Sequence, residues 1–218
     1  MEKQAIVLGA SGLIGGHLID CLLESSEYQS VLSIGRSKLH CDHPKLSEKI
    51  IDFKDFPKTI EELPPNSHFF CTIGTTIKIA GTKENFKIVD YHYPMAFADL
   101  AKSQNAASFH IISSVGANKS SPFFYQKIKG LLEQDIAQLG LSSLYIYRPS
   151  LLIGNRSEPR PFESISQKVL PLFDKLLIGP FKDYQTVNAK DVAQKMYFDS
   201  LLSLKGIHYI SGEQITQK

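Results

Sequence analysis

Cysteine is scarce in this chain: Cys21, Cys41 and Cys71 are the three thiols in 218 residues. None forms a C-x-x-C pair and none falls at metal-ligand spacing, so neither a disulfide framework nor a metal site is expected. Two of them lie inside apolar runs, which predicts buried thiols. No uninterrupted apolar run reaches 18 residues, so membrane insertion is not expected. Charge of neither sign dominates. The 24 Lys and Arg against 22 Asp and Glu leave a formal +2, dispersed along the chain, which argues against a nucleic-acid surface. The opening stretch "MEKQAIVLGASG" lacks the apolar segment of a secretory signal and enters a strand almost at once, which leads to the expectation of a cytoplasmic location. Internal repeats and low-complexity tracts are also missing.

What is there has the make-up of a folded domain, with 43% hydrophobic and 21% charged residues. One domain over residues 1–218 is expected at this length. Short apolar runs, "AIVLG" (5–9), "SVLSIG" (30–35), "KIIDF" (49–53), "HFFCTIG" (68–74), "SFHIISS" (108–114) and "SLYIYRP" (143–149), suit strands buried on both faces. Between them "LIGGHLIDCLLESS", "FKIVDYHYPMAFADLAKSQN" and "FFYQKIKGLLEQDIAQLG" carry apolar residues at three- and four-residue spacing. Such alternation predicts an α/β fold, a doubly wound parallel sheet with helices on both faces. After Pro149 the rhythm breaks. Residues 150–190 are expected to form a small, irregular C-terminal substrate-binding appendage, before a helix near 191–204 and a last strand, "GIHYIS".

The stretch "GASGLIGG" follows the first strand and opens the first helix. Gly9, Gly12 and Gly15 permit a tight turn and close approach of a pyrophosphate, and the helix start offers unpaired N–H groups. Ser11, Leu13 and Ile14 belong to the same loop, which is assigned to a dinucleotide. In this kind of unit the residue at the end of the second strand faces the adenosine ribose, and an acidic residue there suits NAD. Here it is Arg36, with Ser37 beside it. A guanidinium makes paired, charge-assisted bonds to phosphate, so the expected cofactor is NADP(H). Asp52 and Phe53, at the end of the third strand, are placed around the adenine. Ile73, Gly74 and Thr75, at the end of the fourth, are placed along the cofactor.

Taken in order, GASGLIG, IGR, IIDF, CTIGTT, IISSVGA, Tyr125-x-x-x-Lys129 and YRP resemble the short-chain dehydrogenase/reductase superfamily. "IGTTIKIAG", "SSVGANKSSPFFYQKIKG" and "YRPSLLIGNRSEPRP" are most similar to its atypical, Tat-interacting oxidoreductase-like branch, and the likeness extends over nearly the whole chain. The resemblance implies a Rossmann fold that binds NADPH. It also places Ser114, Tyr125 and Lys129 in the family triad, and Leu152 and Arg160 near the nicotinamide half of the cofactor. Asp90 stands where the superfamily often has an asparagine that supports a proton relay, a departure from the usual form of that relay. Ser113 and Ser114 are adjacent; Ser114 is chosen because it lies beyond the strand end.

A phenol is a poor acid–base group at neutral pH unless its anion is stabilised, and an ammonium one helical turn away does this by charge. Ser114 would hold the substrate oxygen while Tyr125 moves the proton and Lys129 also bonds the ribose. His17, His43, His68 and His110 show no partner in sequence and are read as structural or solvated. Three functions follow in order: an NADPH-dependent oxidoreductase of a small carbonyl or alcohol, an NADPH-binding regulator or redox sensor, and a sugar-nucleotide epimerase, which the short C-terminal segment disfavours. The expected partner is a small-molecule substrate, with a homodimer left open.

Overall fold

A computed structural model describes residues 3–54, 56, 60, 63–154, 183–202 and 204–217. The strands are β1 (Lys3–Leu8), β2 (Tyr28–Gly35), β3 (Leu46–Ile50), β4 (His68–Cys71), β5 (Ser108–Ile112), β6 (Ser143–Arg148), β7 (Leu152–Ile153), β8 (Val187–Asn188) and β9 (Gly206–Ser211). The helices are α1 (Leu13–Glu24), α2 (Ile77–Ala80), α3 (Lys83–Lys87), α4 (Tyr93–Ser103), α5 (Phe124–Gln138), α6 (Ala189–Leu201) and α7 (Gly212–Thr216). Seven strands form one sheet in the order β3-β2-β1-β4-β5-β6-β9, and every neighbouring pair is parallel. This is the doubly wound Rossmann architecture that the strand–helix alternation predicts.

Side chains leave a strand on alternate faces, so each strand feeds two cores. Ala5 and Val7 of β1, Val31, Phe70, Tyr145 and Tyr147 pack under α1 and α6, through Leu18, Leu22, Val192 and Met196. Ile6 and Leu8, Phe69, Phe109, Ile111, Leu144 and Ile146 pack under α4 and α5, through Phe97, Ala101, Leu132 and Ile136. Each buried aliphatic or aromatic side chain of this kind contributes about 1.5–3 kcal/mol relative to leaving it in water.

Several strands sit differently from their apolar runs. The third was expected over 49–53 and lies at Leu46–Ile50. Among the described residues it pairs only with β2, and an edge position tolerates Ser47, Glu48 and Lys49, so apolar content marks it poorly. β4 and β5 end at Cys71 and Ile112, short of the expected 74 and 114; the Thr72 and Ser113 N–H groups still donate to Leu8 O and Tyr147 O, and the residues beyond the strand ends line a cleft. β7 and β8 make a separate two-stranded parallel ladder inside the segment expected to be irregular. Most of that expected appendage, including Arg160, lies outside the described residues. Among the described residues, no helix is long and apolar enough to cross a membrane.

From Lys83 to Ser103 the chain stays helical, but Ile88–His92 form a π turn between α3 and α4. Pro94 explains it. A proline has no N–H for the carbonyl four residues back, and its ring collides with that carbonyl, here that of Asp90. The helix widens by one residue, and Tyr93 N–H bonds Ile88 O instead.

His68 and His110 are neither solvated nor unpartnered. His68 Nδ1 lies 2.8 Å from Ser108 Oγ, Ser108 Oγ lies 2.8 Å from His110 Nε2, and His110 Nδ1 lies 3.0 Å from the Tyr147 hydroxyl. Tyr147 donates to Asp199 Oδ2 at 2.9 Å, and Asp199 Oδ1 accepts from Lys195 at 2.5 Å. A carboxylate only accepts, so the direction of the chain is set from that end: Tyr147 accepts from His110 Nδ1–H, and Ser108 donates to His110 Nε2 and accepts from His68 Nδ1–H. This order holds with both imidazoles neutral, the form that burial favours by lowering their pKa values.

Candidate functional site

A cleft of about 1200 Å³ opens at the carboxyl ends of β1, β2, β4 and β5. β1 leads to α1 on one face of the sheet and β4 leads toward α4 on the other, so the cleft lies at the topological switch point, where ligands of such sheets bind. Gly9 has φ +92°, and a Cβ there would stand 2.5 Å from Ile73 N. A Cβ on Gly15 would overlap Gly9 O and come within 2.8 Å of Ala10 Cα. These glycines therefore let β1, the start of α1 and the chain after β4 touch as backbone. Gly12 caps α1 without a side-chain hydrogen bond, so the first N–H groups of α1 stay free of a side-chain acceptor, and the bare cradle suits a pyrophosphate.

Most residues assigned to the cofactor come together here. Ser11, Gly12, Leu13, Ile14, Arg36, Ser37, Ile73, Gly74, Thr75 and Leu152 line the cleft, while Gly9 and Gly15 form its backing. Asp52 and Phe53 are placed differently. Asp52 lies past the end of β3 and accepts from Lys54 N–H at 3.0 Å. Phe53 is buried, with its ring centroid 4.5 Å from that of Tyr93, and neither residue is part of the cleft lining. β3 ends at Ile50, with Ile51 N–H still bonded to Gly35 O, so Asp52 and Phe53 follow the strand, and Phe53 turns onto the α4 core. Arg160 lies outside the described residues.

Ser113, Ser114, Tyr125 and Lys129 all line the cleft. Tyr125, in the first turn of α5, is 37% exposed and packs its ring at a tilt against Phe86, with centroids 5.7 Å apart. Lys129, one turn on, is 4% exposed. Its Nζ is 2.9 Å from Asp90 Oδ1 and 3.5 Å from Ile112 O. Burial works against its charge, but Asp90 first, then Tyr125, leave its pKa raised above the ordinary value. Beside it, burial pushes the Cys71 thiol up to about 12 against the pull of Lys129, which keeps it protonated and inert.

Sequence reasoning missed three things. The hydroxyl of Ser114 donates to Val115 O at 3.2 Å, whereas Ser113 Oγ is buried without a partner among the described residues. Adjacent serines alternate faces, and only the exact strand end decides between them. Asp90 was legible as a position but not as the partner of Lys129, since 39 residues separate them. Thr72 also lines the cleft, with its Oγ1 donating to Leu8 O at 3.0 Å.

No protein-family model matches the chain. Among curated proteins, HTATIP2 of Rattus norvegicus is 33% identical over 170 residues, 77% of this chain and 70% of that protein. The protein FMP52, mitochondrial, of Meyerozyma guilliermondii is 33% identical over 98% of this chain and 94% of its own. The chain belongs to the Tat-interacting oxidoreductase-like branch of the short-chain dehydrogenases/reductases. Among solved structures, MoeE5 in complex with UDP-glucose and NAD superposes with a TM-score of 0.71 at 13% identity, covering 97% of this chain and 79% of that one. At that identity the likeness speaks for the fold alone. Membership also corrects one expectation. FMP52 relatives from several yeasts are designated mitochondrial, which overturns the cytoplasmic location. The missing apolar leader had excluded only secretory signals, whereas mitochondrial targeting segments are amphipathic and basic.

Proposed function

We propose that the chain is an NADPH-dependent oxidoreductase acting on a small carbonyl or alcohol. The observation that carries this reading is the meeting, in one cleft, of the glycine loop with Tyr125 and Lys129. The N–H groups at the start of α1 would hold the pyrophosphate, Arg36 and Ser37 the 2′-phosphate, and Lys129 the nicotinamide ribose. Ile73–Thr75 and Leu152 would flank the dinucleotide. The nicotinamide supplies hydride chemistry when bound. Tyr125 donates the proton that the substrate oxygen needs in reduction, and takes it back in oxidation. A serine hydroxyl, from Ser113 or Ser114, holds that oxygen. Membership in the family supports the reading, and so does an arginine lining the cleft beyond β2.

Calorimetric titration of NADPH and NADH at one ionic strength tests the cofactor. A charge-assisted contact from Arg36 to the extra phosphate is worth roughly 1.5–3 kcal/mol, so NADPH should bind about ten- to a hundredfold more tightly. Arg36→Asp should erase the preference and spare the fold. Equal dissociation constants for the two cofactors would remove Arg36 from the phosphate site. Tight NADPH binding with no reduction across a broad carbonyl panel would replace the enzyme by the regulator or redox-sensor reading.

A further inference from the structure

Asp90 sits in the π turn with its carboxylate as buried as the ammonium it meets, 2% against 5% exposed. Its two oxygens have different partners. Oδ1 is 2.9 Å from Lys129 Nζ, and Oδ2 accepts the Thr75 N–H at 2.8 Å. Both partners are donors. A carboxylate satisfies two donors at once, whereas an asparagine amide must turn its NH₂ toward one of them, leaving a buried donor without an acceptor. The asparagine that the superfamily often carries at this place would be mismatched in this chain.

We infer that Asp90 is a positioning residue, whose carboxylate holds Lys129 ionised and in place beneath the cofactor cleft while pinning the loop after β4 to the same point. The inference rests on the oxidoreductase reading for its purpose; the pairing itself does not. Thr75, Asp90 and Lys129 all line the cleft, so one carboxylate ties together its β4 side and its α5 side. The π turn caused by Pro94 sets the phase of the helix at this residue. The groups facing Lys129 are Asp90 from the π turn, Tyr125 from its own helix, Cys71 from β4 and the Ile112 carbonyl of β5. Cys71 stays protonated, so Asp90 is the anion that offsets the burial of Lys129.

The test reads the Lys129 amine directly, by NMR titration of full-length protein carrying ¹³C,¹⁵N-lysine, with its signal assigned by loss in Lys129→Arg. In the wild type the midpoint should lie above the ordinary 10.5. Asp90→Asn should lower it by about one unit or more and weaken NADPH binding about tenfold. Asp90→Glu, which keeps the charge, should leave the titration near wild type and lose less affinity than Asp90→Asn. A wild-type Lys129 that is already deprotonated at neutral pH overturns the inference even if Asp90→Asn does not fold. So does an Asp90→Asn protein with unchanged Lys129 titration and NADPH affinity and only a lower melting temperature. Failure of the oxidoreductase reading looks different: the wild type reduces no carbonyl, while Lys129 still titrates high and drops in Asp90→Asn, which upholds the pairing. Carbonyl reduction that needs Tyr125, together with an unmoved Lys129, sinks the inference and leaves the enzyme.

Discussion

Tyr125 and Lys129 share one face of α5 but sit in different surroundings, and their substitutions should separate accordingly. Tyr125 is half-exposed on the cleft with its ring on Phe86. Tyr125→Phe keeps that contact and removes only the hydroxyl. Turnover should fall by roughly a hundredfold or more while NADPH affinity and melting temperature stay near wild type. Unchanged turnover would reduce the tyrosine to a packing residue. Lys129→Met should instead cost cofactor affinity and stability together, because it strands the buried Asp90 carboxylate. Ser113 offers a second test. An unpartnered buried hydroxyl costs about 1–3 kcal/mol, and this one belongs to a residue that lines the cleft. Ser113→Ala should raise the melting temperature, and whichever of Ser113→Ala and Ser114→Ala lowers turnover identifies the serine that holds the substrate oxygen. A drop in melting temperature for Ser113→Ala would mean that the hydroxyl serves packing.

The elements that build the cleft are held by backbone contact. α1 reaches β1 and the chain after β4 only because Gly9 and Gly15 present no Cβ at the junction. Gly15→Ala would push its methyl into Gly9 O, so α1 must withdraw from the loop that it completes. We expect a loss of about 1–3 kcal/mol in stability from overpacking and a fall in NADPH affinity larger than that loss of folded protein explains. Equilibrium unfolding and calorimetry on the same preparation check this. Retained affinity would show that the loop tolerates a methyl and that the pyrophosphate lies elsewhere.

Across the whole molecule, the buried chain from His68 through Ser108, His110 and Tyr147 to Asp199 ties β4, β5 and β6 to α6. It also links stability to pH. Burial, then Lys3, lower the His68 pKa from 6.5 to about 4, and burial, then His68, hold that of His110 well below its ordinary value. In the unfolded chain both imidazoles titrate near 6.5. Between that value and about 4 the unfolded state therefore binds protons that the folded state refuses. Stability should be full above pH 6.5 and fall as the pH drops toward 4. His68 alone contributes on the order of 3 kcal/mol to that fall. Urea midpoints at pH 7.5 and 4.5 measure the loss, and His68→Gln should make it smaller. An undiminished loss in His68→Gln would assign the acid sensitivity to other groups.

By itself the sequence determined the fold class, the order of its strands and helices, the glycine loop, and the Tyr125/Lys129 pair with Arg36 upstream. All of these are local patterns, readable because a period of two or 3.6 residues and a glycine at a turn act over a few neighbours. Only the tertiary structure decided what depends on where an element stops or on which distant residues meet. It moved the third strand to Leu46–Ile50, taking Asp52 and Phe53 away from the cleft lining. It turned the hydroxyl of Ser114 toward Val115 and left that of Ser113 unpaired. It brought Asp90 to Lys129 and His68 into line with Asp199. A buried charge or imidazole must find a partner wherever packing puts one, and no spacing along the chain records that choice.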